Sequence, residues 1–122
     1  MNNFQLTNNF NLQEFECSHP EHRHVRVDES LVKKLQQLRD TLGVPLIINS
    51  AYRCSERNKQ VGGAEKSQHL YGTAVDISMK TINISIEEVA KLAEDIGFDG
   101  IGLYNTFIHL DTRGTPARWD NR

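Results

Sequence analysis

A chain of 122 residues is long enough for one ordinary domain and too short for two, and its 38% hydrophobic and 25% charged content is typical of a globular domain. The net charge of −2 gives no indication of a nucleic-acid partner. No apolar run approaches the roughly 20 residues that a membrane-spanning helix needs. We therefore expect a single domain over residues 1–122, without a membrane span, and we expect a monomer.

The N-terminal region lacks the basic stretch and apolar run that together mark a secretory signal, so we expect synthesis in the cytoplasm. Residues 1–16 are polar, with aromatic rings spaced at Phe4, Phe10 and Phe15. This pattern is typical of an irregular N-terminal arm whose rings pack onto the domain.

Two cysteines, Cys17 and Cys54, are too few for a disulfide scaffold, and we expect reduced thiols rather than a disulfide. Cys17 also begins a short cluster with His19, His22 and His24. Such a run can bind metal, but its spacing matches no zinc finger, so we interpret it as a solvated loop.

Helix signals occur at three places along the chain. Asp28 is a natural N-cap and Gly43 a natural stop, with leucines between them at helical spacing. Ser55 can cap a short helix over residues 56–60. Ser85 and Glu88 form a capping box for a helix that ends near residue 96, before a glycine.

Short apolar runs predict strands over residues 46–48, 74–79, 101–104 and 107–111. The last two predict a hairpin that turns at Asn105 and Thr106. Residues 114–122 are polar apart from Trp119, which suggests a surface tail. Helices outside a small antiparallel sheet give the fold class α+β, as one compact domain.

His69 and Asp76 lie seven positions apart, and Gly72 between them allows a tight turn. Asp76 stands in a predicted strand between Val75 and Ile77. Burying a carboxylate alone costs several kcal/mol, so this one needs a partner, and a metal ion is one such partner.

His109 is likewise a polar residue among apolar neighbours and needs a partner. It lies on the last predicted strand, where side chains alternate between two faces. Phe107, His109 and Asp111 share one face, and Ile108 and Leu110 share the other. Three ligands drawn from His and Asp, with a fourth position for water, are typical of a catalytic zinc site. The residues alone leave open a hydrogen-bonded core histidine and a strand aspartate paired with Arg or Lys.

Residues 67–76 read S-Q-H-L-Y-G-T-A-V-D. They are similar, at every specified position, to the S-x-H-x-x-G-x-A-x-D signature of the zinc D-Ala-D-Ala carboxypeptidases and related murein peptidases. Residues 50–53 resemble the family's S-G-Y-R segment, with Ala51 in place of glycine. Residues 100–111 resemble the G-I-G-x-Y … F-x-H-x-D block of the branch that contains the small Streptomyces-type muramoyl-pentapeptide carboxypeptidases. The resemblance covers roughly residues 8–119.

The resemblance implies the compact α+β fold that is also seen in hedgehog signalling domains. It implies a zinc ion (Zn2+) held by His69, Asp76 and His109. It further implies that Arg53 binds a carboxylate of the substrate peptide and that Ser67 lines the same cleft. The implied substrate is a stem peptide of peptidoglycan, cut by a zinc-activated water either at a terminal D-alanine or within the stem or a cross-link.

One position departs from the family pattern. Many relatives carry an acidic general base three residues before the last zinc histidine, where this chain has Thr106. We therefore predict Asp111 as the base, because it shares the face of His109. The alternatives for Asp111 are orienting a ligating histidine or an ion pair with Arg113. Tyr104 is a candidate donor to the developing oxyanion.

The missing acid also favours a different class of function, a zinc-containing binding module of the same fold with little or no hydrolysis. A third hypothesis is a metal-free structural domain, which predicts no zinc by elemental analysis. A nearly bare catalytic domain that acts on the cell wall without a visible signal peptide fits a phage or prophage source.

Overall fold

The computed structural model describes residues 2–18, 24–64 and 67–122. Its helices are α1 Glu29–Leu42, α2 Ser55–Gln60 and α3 Ile86–Ile96. Its strands are β1 Gln5–Thr7, β2 Phe10–Asn11, β3 Ile48–Ser50, β4 Ala74–Ser78, β5 Gly100–Leu103, β6 Phe107–Asp111 and β7 Ala117–Asp120. Two short 3₁₀ helices cover Leu12–Phe15 and Gln68–Tyr71. None of the described helices is long and apolar enough to cross a membrane.

Strands β3 to β7 form a single sheet in the order β3-β4-β6-β5-β7. Its pairs are antiparallel except for β5 and β7, which run parallel. One row of cross-strand neighbours crosses the whole sheet, and it consists of Ser50, Asp76, His109, Gly102 and Trp119. Two residues along, a second row on the same face consists of Ala74, Asp111, Gly100 and Ala117.

The opposite face of the sheet carries the hydrophobic core. Strands β4 and β6 each contribute two fully buried residues to it, namely Val75, Ile77, Ile108 and Leu110. They form one cluster with the buried residues of α1 and α3. Because alternate residues of a strand point to opposite faces, the rows that contain Asp76 and His109 lie on the face away from this core.

The predicted fold class, α+β, is confirmed, and so are the two long helices. The Asp28 side chain accepts the N–H of Leu31, and the Ser85 hydroxyl accepts the N–H of Glu88 at 3.2 Å. The short helix begins one residue earlier than predicted. Its N-cap is Cys54, whose Sγ lies 3.4 Å from the backbone nitrogen of Arg57.

The predicted surface tail over residues 114–122 is wrong, because Ala117–Asp120 form β7 at the edge of the sheet. A four-residue strand with charged residues at alternate positions has no apolar run to mark it. Its backbone hydrogen bonds with β5 are tertiary information that local sequence does not carry. The sheet is therefore mixed rather than purely antiparallel.

Two other segments differ from their predictions. The N-terminal arm is not irregular, because it contains the β1–β2 pair and a 3₁₀ turn. Phe10 and Phe15 are buried in the core as predicted, whereas Phe4 is 65% exposed. The strand predicted over residues 46–48 begins only at Ile48 and lies at the edge of the sheet, so it is not fully buried.

The two cysteines are neighbours in the fold. The Sγ atoms of Cys17 and Cys54 lie 3.4 Å apart without a covalent bond between them. The end of the N-terminal arm is thereby placed against the start of α2. In the predicted histidine cluster, His19 and His22 lie outside the described residues.

Candidate metal centre

The structure brings the three predicted ligands together. His69 lies in the 3₁₀ turn that precedes β4, and Asp76 lies in the middle of β4. His109 lies on β6 directly opposite Asp76. One side-chain ligand atom from each of the three residues falls within 4.8 Å of the other two.

Each imidazole has one nitrogen near Asp76 and the other held by an acceptor. His69 Nε2 lies 3.3 Å from Asp76 Oδ1, and His69 Nδ1 lies 2.6 Å from the carbonyl oxygen of Ala51. His109 Nδ1 lies 3.1 Å from Asp76 Oδ1, and His109 Nε2 lies 2.7 Å from Asp111 Oδ2. The outer nitrogens, those away from Asp76, face a carbonyl and a carboxylate, which accept hydrogen bonds. A bound cation would therefore leave the protons on the outer nitrogens and take the lone pairs of the inner nitrogens in place of their hydrogen bonds with Asp76.

The charge on Asp76 suits a cation. Burial by itself raises the pKa of this carboxyl group, but hydrogen bonds with His109 and His69 outweigh burial and lower its pKa to about 2. For His109, burial lowers the pKa, and the carboxylates of Asp111 and Asp76 more than reverse that effect. Two imidazoles and one ionised carboxylate form a donor set that fits zinc.

Asp111 lies behind His109. It is 0% exposed, and both of its carboxylate oxygens are occupied. Oδ1 accepts the N–H of Gly100 at 3.0 Å, while Oδ2 accepts from Arg113 Nη2 and from His109 Nε2, each at 2.7 Å. Burial raises the pKa of Asp111, but these hydrogen bonds with His109 and Arg113 bring it well below its ordinary value. Asp111 is therefore an anion enclosed by donors.

Two glycines of β5 leave space for large side chains on the polar face of the sheet, the face that carries Asp76 and His109. A Cβ atom at Gly100 would stand 2.0 Å from Asp111 Oδ2, and one at Gly102 would stand 2.3 Å from Cε2 of the Trp119 ring. Neither position tolerates a side chain without displacing its neighbour. Alternate glycines in a strand often mark a close approach of this kind, so the G-x-G pattern is a signal from which the crowding could have been predicted.

A cleft of about 530 Å³ opens over the three candidate ligands. The predicted substrate-binding residues Arg53, Ser67 and Tyr104 all line it. Arg53 Nη2 donates to Ser67 Oγ at 3.2 Å, and the buried Nε of Arg53 has no hydrogen-bond partner among the described residues. This guanidinium therefore retains donor capacity beside the candidate metal centre.

Among the lining residues that were not predicted as site residues, Arg113 and Trp119 come from the C-terminal end of the chain. Trp119 Nε1 donates to the Tyr104 hydroxyl at 2.9 Å, and the Trp119 ring centroid lies 5.0 Å from that of His109. The guanidinium of Arg113 lies over the Trp119 ring, 5.3 Å from the ring centroid. The Tyr104 ring stacks on Phe107 with centroids 4.3 Å apart.

Thr106, at the position where many relatives carry an acid, lies on the exposed hairpin turn outside this cleft. Among the described residues that line the cleft, Asp76 alone is acidic. The cleft therefore offers a candidate cation-binding centre and several hydrogen-bond donors, without a second carboxylate from the part of the chain that the structure describes.

A family model described as Peptidase M15 matches residues 8–111 of this chain. The chain belongs to the Peptidase M15 family. The murein peptidase resemblance that was inferred from residues 67–76 is thereby confirmed.

Two curated proteins are similar to this chain. The peptidoglycan L,D-endopeptidase MepK of Escherichia coli K12 is 30% identical over 102 residues, covering 76% of this chain and 54% of MepK. The zinc D-Ala-D-Ala carboxypeptidase of Streptomyces albus G is 42% identical over 69 residues, covering 56% of this chain and 26% of that enzyme. The chain thus spans about half the length of MepK and about a quarter of the carboxypeptidase.

Proposed function

We propose that this protein is a zinc peptidase that hydrolyses peptide bonds in peptidoglycan stem peptides. The observation that carries the proposal is the convergence of two imidazole nitrogens and one ionised carboxylate at the base of a cleft. Membership of Peptidase M15 supports it, as do the names of the relatives, one a peptidoglycan endopeptidase and one a zinc carboxypeptidase.

His69 Nε2, Asp76 Oδ1 and His109 Nδ1 are the atoms that would hold the zinc ion (Zn2+). Three protein ligands of these types are usual in catalytic zinc sites, which keep one position for water or substrate. A zinc ion bound there supplies a nucleophilic water near neutral pH and polarises the carbonyl of the peptide bond.

The other residues of the cleft bind and orient the peptide. Arg53 presents a planar set of donors beside the metal centre and would pair with a carboxylate of the substrate. Ser67 accepts one N–H of Arg53 and so fixes the position of the guanidinium. Tyr104 would donate its hydroxyl hydrogen to the carbonyl oxygen that becomes negative during the attack.

We further propose that Asp111 orients His109 and is not the general base. Full burial and the hydrogen bonds from Gly100, Arg113 and His109 support this assignment. A carboxylate that accepts the outer N–H of a ligating histidine fixes its tautomer and increases its basicity.

A second candidate function rests on the absence of an additional acid among the described residues of the cleft. A zinc-containing domain that binds peptidoglycan peptides without cleaving them needs the same ligands and the same Arg53. It does not need a general base. Turnover is therefore the property that separates the two candidates.

The proposal is tested by incubating purified peptidoglycan with the zinc-loaded protein and analysing the released muropeptides by mass spectrometry. We expect new products that disappear with a chelator and with His69→Ala. Loss of one D-alanine per stem would indicate a carboxypeptidase, and cleaved stems or cross-links would indicate an endopeptidase. Zinc-loaded protein that binds peptidoglycan and releases nothing would reject the peptidase in favour of the binding module.

A further inference from the structure

The hydrogen bond between Trp119 and Tyr104 can have only one polarity. An indole N–H is a donor and never an acceptor, so the oxygen of Tyr104, 2.9 Å from Trp119 Nε1, must accept. The phenol's own hydrogen is then available for a different acceptor. Within residues 2–18, 24–64 and 67–122, the Tyr104 hydroxyl donates to no protein group, and it lies in the wall of the cleft.

Both partners of this hydrogen bond are held in place by their neighbours. The Tyr104 ring lies nearly parallel to that of Phe107, at an interplanar angle of 9°. The Trp119 ring fits over Gly102, where a Cβ atom would be 2.4 Å from Trp119 Nε1. Its ring centroid also lies 5.0 Å from that of His109 and 5.3 Å from the guanidinium carbon of Arg113. The direction of the Tyr104 hydroxyl is therefore set before any ligand enters.

We propose that Trp119 is a positioning residue, which occupies the lone-pair side of Tyr104 and so directs the phenolic hydrogen at the scissile carbonyl oxygen of the substrate. The inference rests on the proposed peptidase function and adds to it a role for the C-terminal strand. A donor oriented in advance stabilises developing negative charge without the reorganisation that a freely rotating hydroxyl requires. Trp119 itself touches no reacting atom and acts through Tyr104.

A double-mutant cycle tests this indirect role. Zinc-loaded Tyr104→Phe should lower kcat by about 100-fold with little change in KM, because it removes the donor. Trp119→Phe keeps an aromatic ring, removes the N–H and should lower kcat by about tenfold. The double variant should be no slower than Tyr104→Phe alone, because Trp119 has nothing left to orient.

Three results would overturn the proposal. The first is an unchanged kcat in Trp119→Phe. The second is a double variant slower by the product of the two single effects, about 1000-fold, which would mean that Trp119 acts independently of Tyr104. The third is a loss of zinc affinity in Trp119→Phe large enough to explain its whole loss of activity. Zinc affinity is therefore measured alongside kcat for every variant.

Replacing Trp119 with its benzothienyl isostere provides a second variant in case Trp119→Phe fails to fold. The isostere keeps the size of the two-ring system and substitutes sulfur for the N–H. The same tenfold fall in kcat is expected, since only the hydrogen bond is removed. Full activity of the isostere would overturn the proposal even if Trp119→Phe is inactive.

The hydrogen bond can also be observed without any turnover. Trp119 is the single tryptophan of the chain, so the indole N–H gives one resonance in a ¹⁵N–¹H NMR spectrum. Tyr104→Phe should shift that resonance upfield, while Tyr71→Phe, at an exposed tyrosine, should leave it in place. An indole chemical shift that is unchanged by Tyr104→Phe would refute the positioning role. A wild-type protein that cleaves no peptidoglycan would instead refute the peptidase function.

Discussion

The ten residues of strands β4 and β6 point alternately to two faces of the sheet, and the two faces are held together by different kinds of interaction. On one face, Ile77 and Ile108 are 0% exposed and are held by apolar contact with the helices. On the other face, Asp76, His109 and Asp111 are joined by hydrogen bonds of 2.7–3.1 Å. Apolar contact is non-directional, whereas each of these hydrogen bonds fixes the orientation of a ring or a carboxylate.

The two kinds of interaction contribute differently to the free energy of unfolding and to the proposed function. Burial of apolar surface contributes roughly 25 cal/mol per Å² whatever the exact orientation of the side chains. A buried polar network contributes little net stability, and it must be fully satisfied to avoid a cost. We therefore expect truncation of the apolar side chains to act mainly on the free energy of unfolding, and truncation of the polar side chains to act mainly on zinc binding and turnover.

The largest effect is expected from His109→Ala, on the polar face. It removes one proposed ligand and the partner of two carboxylates, so zinc binding and hydrolysis should both be lost. Elemental analysis and a muropeptide assay measure the two losses, and circular dichroism checks that the zinc-free variant still unfolds cooperatively. A variant that retains one zinc per chain would show that the metal lies elsewhere.

Ile108→Ala, one residue away on the apolar face, should lower the free energy of unfolding by about 2–5 kcal/mol. The folded fraction should bind zinc with the affinity of the wild type. Urea denaturation in the presence of a chelator measures the first quantity, and a zinc titration measures the second. Ile47→Ala, at a residue that is 43% exposed, is the matched control and should cost much less. Equal costs at the two sites would contradict the division between faces.

Asp111→Asn should weaken zinc binding by about 10–100-fold, because the outer nitrogen of His109 loses its charged acceptor. Competition with a fluorescent chelator gives the affinity. Glu94→Gln, at a surface carboxylate 3.9 Å from Arg118, controls for loss of a negative charge. Unaltered zinc affinity combined with a collapse of kcat would instead identify Asp111 as the general base.

The smallest effects are expected from the two glycines of β5. A methyl group at Gly100 collides with the Asp111 carboxylate, and one at Gly102 collides with the Trp119 ring. Each alanine variant should lose about 1–3 kcal/mol of stability. Gly100→Ala should mainly weaken zinc binding, and Gly102→Ala should mainly lower kcat. Identical profiles for the two variants would show that Asp111 and Trp119 do not serve separate roles.

Local signals in the sequence were sufficient for much of the fold. Asp28 and Ser85 cap their helices as predicted, because capping depends on residues within one turn. The alternation along Phe107–Asp111 separated His109 from the core because strand periodicity is also local. The ten-residue segment ending at Asp76 then supplied what periodicity could not, a resemblance to a metal-binding signature.

The features that were missed depend on contacts between distant segments. Trp119 looked like part of a surface tail because β7 exists only through its pairing with β5. The environment of Asp111 depends on Gly100, 11 residues before it, and on the conformation of Arg113. Periodicity could place Asp111 on the correct face, but it could not show whether the carboxylate reached into the cleft or was enclosed behind the histidine.

The cross-strand row of Asp76, His109 and Gly102 also limits how this sequence can change length. Inserting or deleting one residue within β6 would reverse its alternation beyond that point, sending Ile108 toward the cleft or His109 into the core. Such a change would damage the core and the candidate metal centre in one event. Insertions in this part of the chain should therefore survive only in the exposed turn at Asn105 and Thr106, where the alternation of both strands is preserved.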